Sequence, residues 1–136
     1  MTPSGRPVPR VSPEAEPFWE GCRNGQLLLQ TCKHCGRINW FPRSFCYRCT
    51  SPEFEWMQSK GRATLESYSI IYRAMDEAWV SEVPYTLALV MLAEGIRMTT
   101  RLIHPVGRVP TIDGPVTVRF TPIDGGFVLP YFEETA

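Results

Sequence analysis

Four cysteines at regular spacing are the residues of this chain best suited to chemistry. Cys32 and Cys35 form one Cys-x-x-Cys pair, and Cys46 and Cys49 form a second pair after ten intervening residues. Two such pairs can place four thiolates around one ion, which is the signature of a zinc ribbon. The alternative, two disulfides or four unrelated thiols, fits the flanking sequence less well, and a reducing compartment favours metal.

The ribbon metal is expected to hold structure. All four ligands come from the protein, so no coordination position remains for water or substrate. In small zinc peptides such an ion contributes on the order of 10 kcal/mol of folding energy. Zinc is the predicted ion, and iron in a rubredoxin-like site would use the same four sulfurs.

The remaining reactive side chains do not form a recognisable catalytic set. A nucleophilic or acid–base site needs convergent groups, such as a nucleophile beside a histidine held by a carboxylate. The chain has two histidines, and we interpret both as surface residues: His34 inside the first cysteine pair and His104 beside Pro105. A role for His104 in lining a channel stays open. Cys22 has no neighbour in sequence that would lower its pKa, so we interpret it as a small buried residue.

Basic and aromatic side chains surround the cysteines and form the candidate contact residues. The cations Lys33, Arg37, Arg43 and Arg48 either offset the charge of the tetrathiolate or meet the phosphates of a ligand. The large apolar residues between the two pairs pack the ribbon against the next domain or against another protein. The candidate ligand or partner contacts are Phe18, Trp19, Trp40, Phe41, Arg43 and Trp79.

Charge and hydropathy narrow the class of partner. The 136 residues carry no formal net charge. The first fifty hold seven basic and three acidic residues, and the remaining residues carry an equal excess of acidic over basic groups. A tetrathiolate site would remove about two of the positive charges near the ribbon, which argues against nucleic acid as the partner. No apolar run is long enough to span a bilayer, and the N-terminus lacks the apolar core of a secretory signal. We therefore expect a cytoplasmic protein with no membrane contact.

The first half of the chain divides into a tail, a helix and the ribbon. Residues 1–12 are rich in proline and predict a disordered tail. A helix is expected over 13–25, with Ser12 as N-cap, Pro13 in the first turn and a stop at Asn24-Gly25. Its apolar stripe, Phe18, Trp19 and Cys22, either packs on the chain's own core or docks on a partner. The zinc ribbon occupies 26–56.

The second half predicts an antiparallel barrel over 57–136. Five short segments have the composition or alternation of strands, namely 62–73, 85–93, 96–103, 116–121 and 127–132. Residues 85–93 are apolar on both parities, which predicts a strand covered on both faces. Five strands without room for a long helix indicate an OB-fold, so the fold class is mainly β. Trp79 lies in the first connection of the barrel, as an exposed anchor or as a cap on the barrel end.

The order of short motifs resembles one known family, the zinc-ribbon and OB-fold proteins catalogued as domain of unknown function thirty-five. The resemblance covers residues 13 to 133. It departs from the family pattern at Tyr47 and Thr50, where proline and glycine are common, and at Phe41, which replaces the first member of a Pro-Pro pair. The motifs are Phe18-Trp19-Glu20-Gly21, Gln26 to Gln30 before the first cysteine pair, Phe41-Pro42-Arg43, Gly61-Arg62-Ala63, Val83-Pro84-Tyr85, Leu92-Ala93-Glu94-Gly95 and Leu129-Pro130-Tyr131-Phe132.

The resemblance implies that the chain binds a partner protein, and it says less about which reaction is catalysed. Members of this family are accessory subunits of thiolase-superfamily proteins and of steroid side-chain aldolases. The implied function is a non-catalytic subunit, in a hetero-oligomer, that helps form an acyl-CoA channel for carbon–carbon bond cleavage or formation. That chemistry, by retro-aldol cleavage or thiolysis, would reside in the partner. The alternative function is a module that binds single-stranded nucleic acid through the barrel.

Overall fold

The computed structural model describes residues 8–105 and 107–135. Residues 1–7, which hold most of the tail predicted over 1–12, lie outside the described residues. Across the described part, the order of elements is one helical segment, a small three-stranded sheet and a five-stranded barrel. No helix in that part is long and apolar enough to cross a membrane.

The N-terminal helical segment is divided in two. A 3-10 turn spans Pro13–Ala15, and the α-helix α1 spans Glu16–Arg23. The Ser12 side chain makes no capping hydrogen bond. Asn24 follows α1, and Gly25 then adopts a φ of 73°, a left-handed conformation that costs glycine little.

The ribbon contains three short antiparallel strands. These are β1 (Leu28–Cys32), β2 (Ile38–Asn39) and β3 (Phe54–Gln58), with β1 in the centre. The boundary expected between residues 56 and 57 falls inside β3, which pairs with β1 along its whole length. The ribbon sheet therefore reaches almost to the first barrel strand.

The barrel is closed by five strands, which confirms the predicted OB-fold. Three strands, β4 (Arg62–Ile71), β5 (Tyr85–Leu92) and β6 (Arg97–Ile103), pair in sequence order. The last two, β7 (Pro115–Pro122) and β8 (Val128–Glu134), form a hairpin. Antiparallel pairing of β7 with β4 and a short parallel pairing of β6 with β8 close the barrel.

One hydrophobic core joins the helix, the ribbon and the barrel. Inside the barrel, residues such as Leu65, Val90 and Phe132 are fully buried. The same contiguous cluster includes Phe18 of α1 and Leu29 of β1. The ribbon and the barrel consequently share apolar packing, which fixes the ribbon on the barrel.

The outer face of β5 differs from the sequence prediction. Its inward residues are buried, but Leu87 is 43% exposed, and Tyr85, Leu89 and Met91 are only partly buried. The prediction that both faces of this strand are covered is therefore wrong. Its apolar outer face is therefore left partly open.

Candidate metal centre and barrel cavity

The four predicted metal ligands lie together at one end of the ribbon. Their sulfur atoms all fall within 4.8 Å of one another. The Sγ atoms of Cys32 and Cys49 are 3.5 Å apart, and those of Cys35 and Cys46 are 3.6 Å apart. Four sulfurs bound at 2.3 Å to a tetrahedral zinc ion would be separated by about 3.8 Å. The cluster therefore fits a structural four-sulfur metal site.

Polar hydrogens from the ribbon itself point at the sulfurs. The Cys35 N–H lies 3.4 Å from the Cys32 sulfur, and the Arg48 N–H lies 3.4 Å from the Cys46 sulfur. The Asn39 side chain, which is completely buried, donates from Nδ2 to the Cys46 sulfur over 3.5 Å. Such bonds orient the ligands and stabilise the thiolate form.

The cysteine pKa values follow from these contacts. The Cys35 N–H lowers the pKa of Cys32. Burial opposes ionisation of Cys46, but bonds from the Cys49 N–H and the Asn39 side chain outweigh it and lower the pKa of Cys46 to about 6. The Ser51 N–H acts the same way on Cys49, yet burial and the adjacent sulfurs raise the pKa of Cys49 to about 12. A divalent cation would compensate the negative charge of the neighbouring thiolates and so remove their opposition to ionisation of Cys49.

Four of the five aromatic residues predicted as contacts form one cluster between α1 and the ribbon. Phe18 is buried and packs edge-on against Trp19, Trp40 and Phe41, with ring centroids 5.0 to 5.4 Å apart. Trp19 also meets Phe127 of the barrel. The apolar stripe of α1 thus packs on the chain's own core. Within the cluster, Phe41 keeps 39% of its surface exposed.

The other two predicted contacts lie elsewhere. Arg43 is exposed on the loop between the cysteine pairs, with its guanidinium 5.8 Å from the centre of the Tyr47 ring. Trp79 is partly buried in the connection between β4 and β5, where its ring lies 6.4 Å from that of Tyr85. The structure therefore does not bring the six predicted contacts together into one site.

A cavity of about 630 Å³ opens at one end of the barrel. Tyr68, Ile70, Thr86 and His104 line part of its wall. His104 Nε2 and Thr86 Oγ1 are 2.7 Å apart, and Thr86 is 4% exposed. His104 is thus partly buried at a cavity, where a surface position was the expected one. Local sequence patterns do not indicate this contact, because Thr86 lies on β5 and His104 directly follows β6.

A clamped arginine forms another part of the cavity wall. Arg101 donates to the Glu82 carboxylate over 2.9 Å, and its guanidinium lies 4.7 Å from the Tyr85 ring and 5.7 Å from the Tyr131 ring. Alternation along β6 would place Arg101 on the solvent face, but its side chain is only 22% exposed. Alternation along the strand predicts only the face on which Arg101 lies. It cannot predict contacts with Glu82, Tyr85 and Tyr131, which belong to three other segments of the chain.

A second, smaller cavity of about 400 Å³ lies between the aromatic cluster and the barrel. Phe18, Trp40 and Phe41 form one wall, while Leu89 of β5 and Pro130 of β8 belong to the opposite side. This cavity brings three of the six predicted contacts to the partly open face of β5.

Two family descriptions match the chain in tandem. The ChsH2 rubredoxin-like zinc ribbon domain matches residues 19–55, and the ChsH2 C-terminal OB-fold domain matches residues 56–121. Together the two matches span most of the chain and agree with the ribbon and the barrel described above.

Several relatives carry names that refer to complexes. A probable enoyl-CoA hydratase alpha subunit from Thermomonospora curvata is 28% identical over 127 residues, which is 93% of this chain and 39% of that protein. A DUF35 domain-containing scaffold protein from Methanocaldococcus jannaschii is 30% identical over 57% of this chain and 55% of that protein. A scaffold protein of the same description from Methanothermobacter thermautotrophicus is 32% identical over 57% of this chain and 58% of that protein. The chain thus spans between two fifths and three fifths of the length of these relatives.

Two solved structures share the architecture. A chain of the Ltp2-ChsH2(DUF35) aldolase superposes with a TM-score of 0.83 and 26% identity, covering 93% of this chain and 98% of that one. A DUF35-family protein of unknown function from Sulfolobus solfataricus gives a TM-score of 0.60 at 18% identity, over 92% of this chain and 87% of that one. The second likeness shows the fold alone.

Proposed function

The chain belongs to the ChsH2-type family of DUF35 proteins, which join a rubredoxin-like zinc ribbon to an OB-fold, and on that premise we propose that it is a non-catalytic accessory subunit. Its partner is a thiolase-superfamily protein in a cytoplasmic hetero-oligomer. The likeness to a chain of the Ltp2-ChsH2(DUF35) aldolase, over 98% of that chain, supports this role. The scaffold proteins among the relatives support it as well.

The observation that carries the proposal is the open barrel end. The cavity of about 630 Å³ there is large enough for part of an acyl-CoA. Its rim leaves Tyr72 74% exposed and Val109 74% exposed. Exposed apolar side chains around a cavity mark a surface that another molecule covers. We infer that the partner closes this end and that the cavity becomes part of an acyl-CoA channel.

The chemistry belongs to the partner in this proposal. Among the described residues, His104 contacts Thr86 and the carbonyl of Pro105, and neither contact supplies the carboxylate of a catalytic triad. The partner would therefore provide the groups that cleave or form the carbon–carbon bond next to the thioester, by retro-aldol cleavage or thiolysis, with steroid side-chain thioesters as one substrate class. This chain would supply walls and exclude water.

The metal in this proposal is a structural Zn²⁺ held by Cys32, Cys35, Cys46 and Cys49. The candidate contacts fall into two groups. Phe41 and Arg43, with Trp40 behind them, would meet the partner near the ribbon, and Trp79 would do so near the barrel cavity. Phe18 and Trp19 would act from beneath, by holding the aromatic cluster in place.

Binding of single-stranded nucleic acid is the less supported alternative. The barrel face that would carry a strand has Arg97 paired with Glu66 and Arg101 paired with Glu82. Cations already neutralised by carboxylates attract phosphates weakly. A labelled oligonucleotide at low salt should therefore remain unbound, and a salt-sensitive shift would favour the alternative.

The test is to purify the tagged chain gently from its native cells and identify the proteins that accompany it. The proposal expects a thiolase-superfamily protein in a fixed stoichiometric ratio, stable through size-exclusion chromatography. A control purification with the tag alone identifies the proteins that are recovered without this chain. Recovery of the intact chain without such a protein would contradict the proposal.

A further inference from the structure

The zinc ribbon carries exposed rings and cations that the fold itself does not use. Phe45 is 61% exposed and Tyr47 is 54% exposed, although both are large aromatic residues. Arg43 and Arg48 beside them are also exposed, and Arg43 lies over the Tyr47 ring. We call these four residues the ribbon surface. Lys33 and Arg37 of the first cysteine pair are exposed cations of the same metal-binding end.

Two buried amide side chains hold the ribbon surface in a fixed conformation. Gln30, which is 2% exposed, donates to the carbonyl of Arg43 over 2.8 Å and accepts from the Arg43 N–H over 2.9 Å. Asn39, which is completely buried, accepts from the Tyr47 N–H over 2.8 Å. The backbone under the ribbon surface is therefore ordered before any partner arrives. Such preorganisation lowers the entropic cost of binding.

The cations of this region lack acidic partners. Within residues 8–105 and 107–135, no carboxylate lies within 4.0 Å of the charged group of any of the four ribbon cations, Lys33, Arg37, Arg43 and Arg48. Elsewhere in the described part of the chain, five arginines do have one, namely Arg23, Arg97, Arg101, Arg108 and Arg119. The ribbon cations are thus available to carboxylates from another molecule.

The charge of the whole ribbon favours a protein over a nucleic acid as that molecule. Residues 26–56 contain four basic residues and two glutamates, Glu53 and Glu55. Four thiolates on a divalent ion add a charge of about −2, which brings the ribbon close to neutral. A polyanion needs a broad positive field. A protein surface that presents single carboxylates beside apolar sockets needs only the local cations and rings. Tyr and Arg are among the residue types enriched at protein interfaces.

We propose that the ribbon surface is a docking site for an acidic surface of the partner subunit. Carboxylates of the partner pair with Arg43 and Arg48, while Phe45 and Tyr47 enter apolar sockets between them. This inference rests on the proposed function, because it names a part of this chain that touches the partner. It extends the ribbon contact of Arg43 to Phe45, Tyr47 and Arg48 and makes the choice of partner depend on charge.

The test compares the affinity of full-length variants for the thiolase-superfamily protein identified by purification. Surface-immobilised partner is titrated with each metal-loaded variant at 50 and 300 mM salt. We expect Arg43→Glu combined with Arg48→Glu to raise the Kd at least about 30-fold at low salt and to flatten its salt dependence. Tyr47→Ala should raise the Kd about tenfold at both salts.

A matched charge reversal serves as the control. Arg62 is also exposed and also lacks an ion pair among the described residues, but it begins β4, beyond the end of β3 that is far from the cysteines. Arg62→Glu should leave the Kd within about threefold of wild type. Equal metal content and thermal midpoints confirm that all variants are folded.

The outcomes separate this inference from the proposed function. If the ribbon variants bind the partner as tightly as wild type, the docking site is elsewhere and the accessory role stands. If the wild-type chain binds no thiolase-superfamily protein, both proposals fail. If the variants lose binding to a labelled oligonucleotide that wild type retains, the ribbon surface recognises phosphate, which overturns an acidic protein as its occupant.

Discussion

The Ser59 hydroxyl donates a hydrogen bond to Glu94 Oε1 over 2.8 Å and so ties the end of the ribbon to the turn between β5 and β6. The other oxygen of Glu94 accepts from the Lys60 N–H over 3.0 Å. Ser59 Oγ in turn accepts from the Gly61 N–H. One carboxylate thus fixes the segment through which the ribbon enters the barrel.

We expect Glu94→Gln to destabilise the fold by roughly 1 kcal/mol at pH 7, because the amide nitrogen of glutamine cannot accept a hydrogen bond and one of the two donors loses its acceptor. Burial acts to raise the pKa of Glu94, but bonds from Lys60 and Ser59 outweigh it and lower that pKa. The contribution is therefore complete above the ordinary carboxyl pKa of about 4.5 and is lost as the pH falls through the lowered value. Urea unfolding at several pH values, with metal content checked at each, measures the difference.

Glu55→Gln is the control for this prediction, because Glu55 is exposed on β3 and takes part in none of these bonds. It should unfold as wild type does. A Glu94→Gln protein with unchanged stability at pH 7 would show that the joint contributes nothing.

Removal of one metal ligand should unfold the ribbon. Cys49→Ser is expected to reduce bound metal from about one equivalent per chain to near zero, since three thiolates bind less tightly than four. Loss of the metal removes a contribution comparable to the whole stability of a domain, so the thermal midpoint should fall sharply. Elemental analysis measures the metal and distinguishes zinc from iron.

Cys22→Ala is the matched control for the metal. Cys22 is buried, and burial raises the pKa of its thiol to about 12, so it is a neutral core residue at pH 7. Its replacement should leave the metal content unchanged. A Cys49→Ser protein that keeps its metal would refute the four-cysteine site.

Asn39 should tune the affinity for the metal without being a ligand. Asn39→Ala removes the donor to the Cys46 sulfur and the acceptor for the Tyr47 N–H. The affinity should fall about 10- to 100-fold, measured by competition with a chromogenic chelator. Asn39→Asp keeps an acceptor for the Tyr47 N–H but replaces the donor with a carboxylate beside the Cys46 sulfur, so its affinity should fall further than that of Asn39→Ala. Wild-type affinity in both variants would exclude a role for Asn39.

Blocking the barrel cavity should lower turnover in the complex without preventing assembly. Ile70 lines the cavity and is 36% exposed, so Ile70→Trp fills space with little strain. We expect at least a tenfold loss of acyl-CoA turnover, with the subunits still eluting together. Ile112→Trp is the control, because Ile112 is 47% exposed and lines neither cavity described here. Equal turnover in both variants would remove the cavity from the channel.

The fold could be predicted from the spacing of the cysteines and the alternation of apolar and polar residues, because both patterns depend directly on local backbone geometry. Two Cys-x-x-Cys pairs imply a shared ion, and five short strands imply a closed barrel. The contact residues were harder to predict, because burial depends on what packs against a residue from distant parts of the chain. Phe18 became core through contacts with Trp40 and Phe41, which lie more than twenty residues away.

The barrel cavity could not be predicted from the sequence for the same reason. Arg101 resembles a solvent-facing residue when β6 is considered alone, and His104, directly after β6, resembles a surface residue beside Pro105. Their partners, Glu82 and Thr86, come from the preceding connection and strand. A hydrogen bond between strands has no fixed spacing in sequence, so no local pattern could identify these residues.

The accessory role is tested most directly by measuring acyl-CoA turnover by this chain, by the proposed thiolase-superfamily partner and by their complex. Each is assayed at equal concentration with the same panel of acyl-CoA thioesters. We predict no turnover by this chain, weak turnover by the partner and substantially faster turnover by the complex. Turnover by the isolated chain, or a partner whose rate is unchanged by it, would contradict the claim that this protein is a non-catalytic accessory subunit.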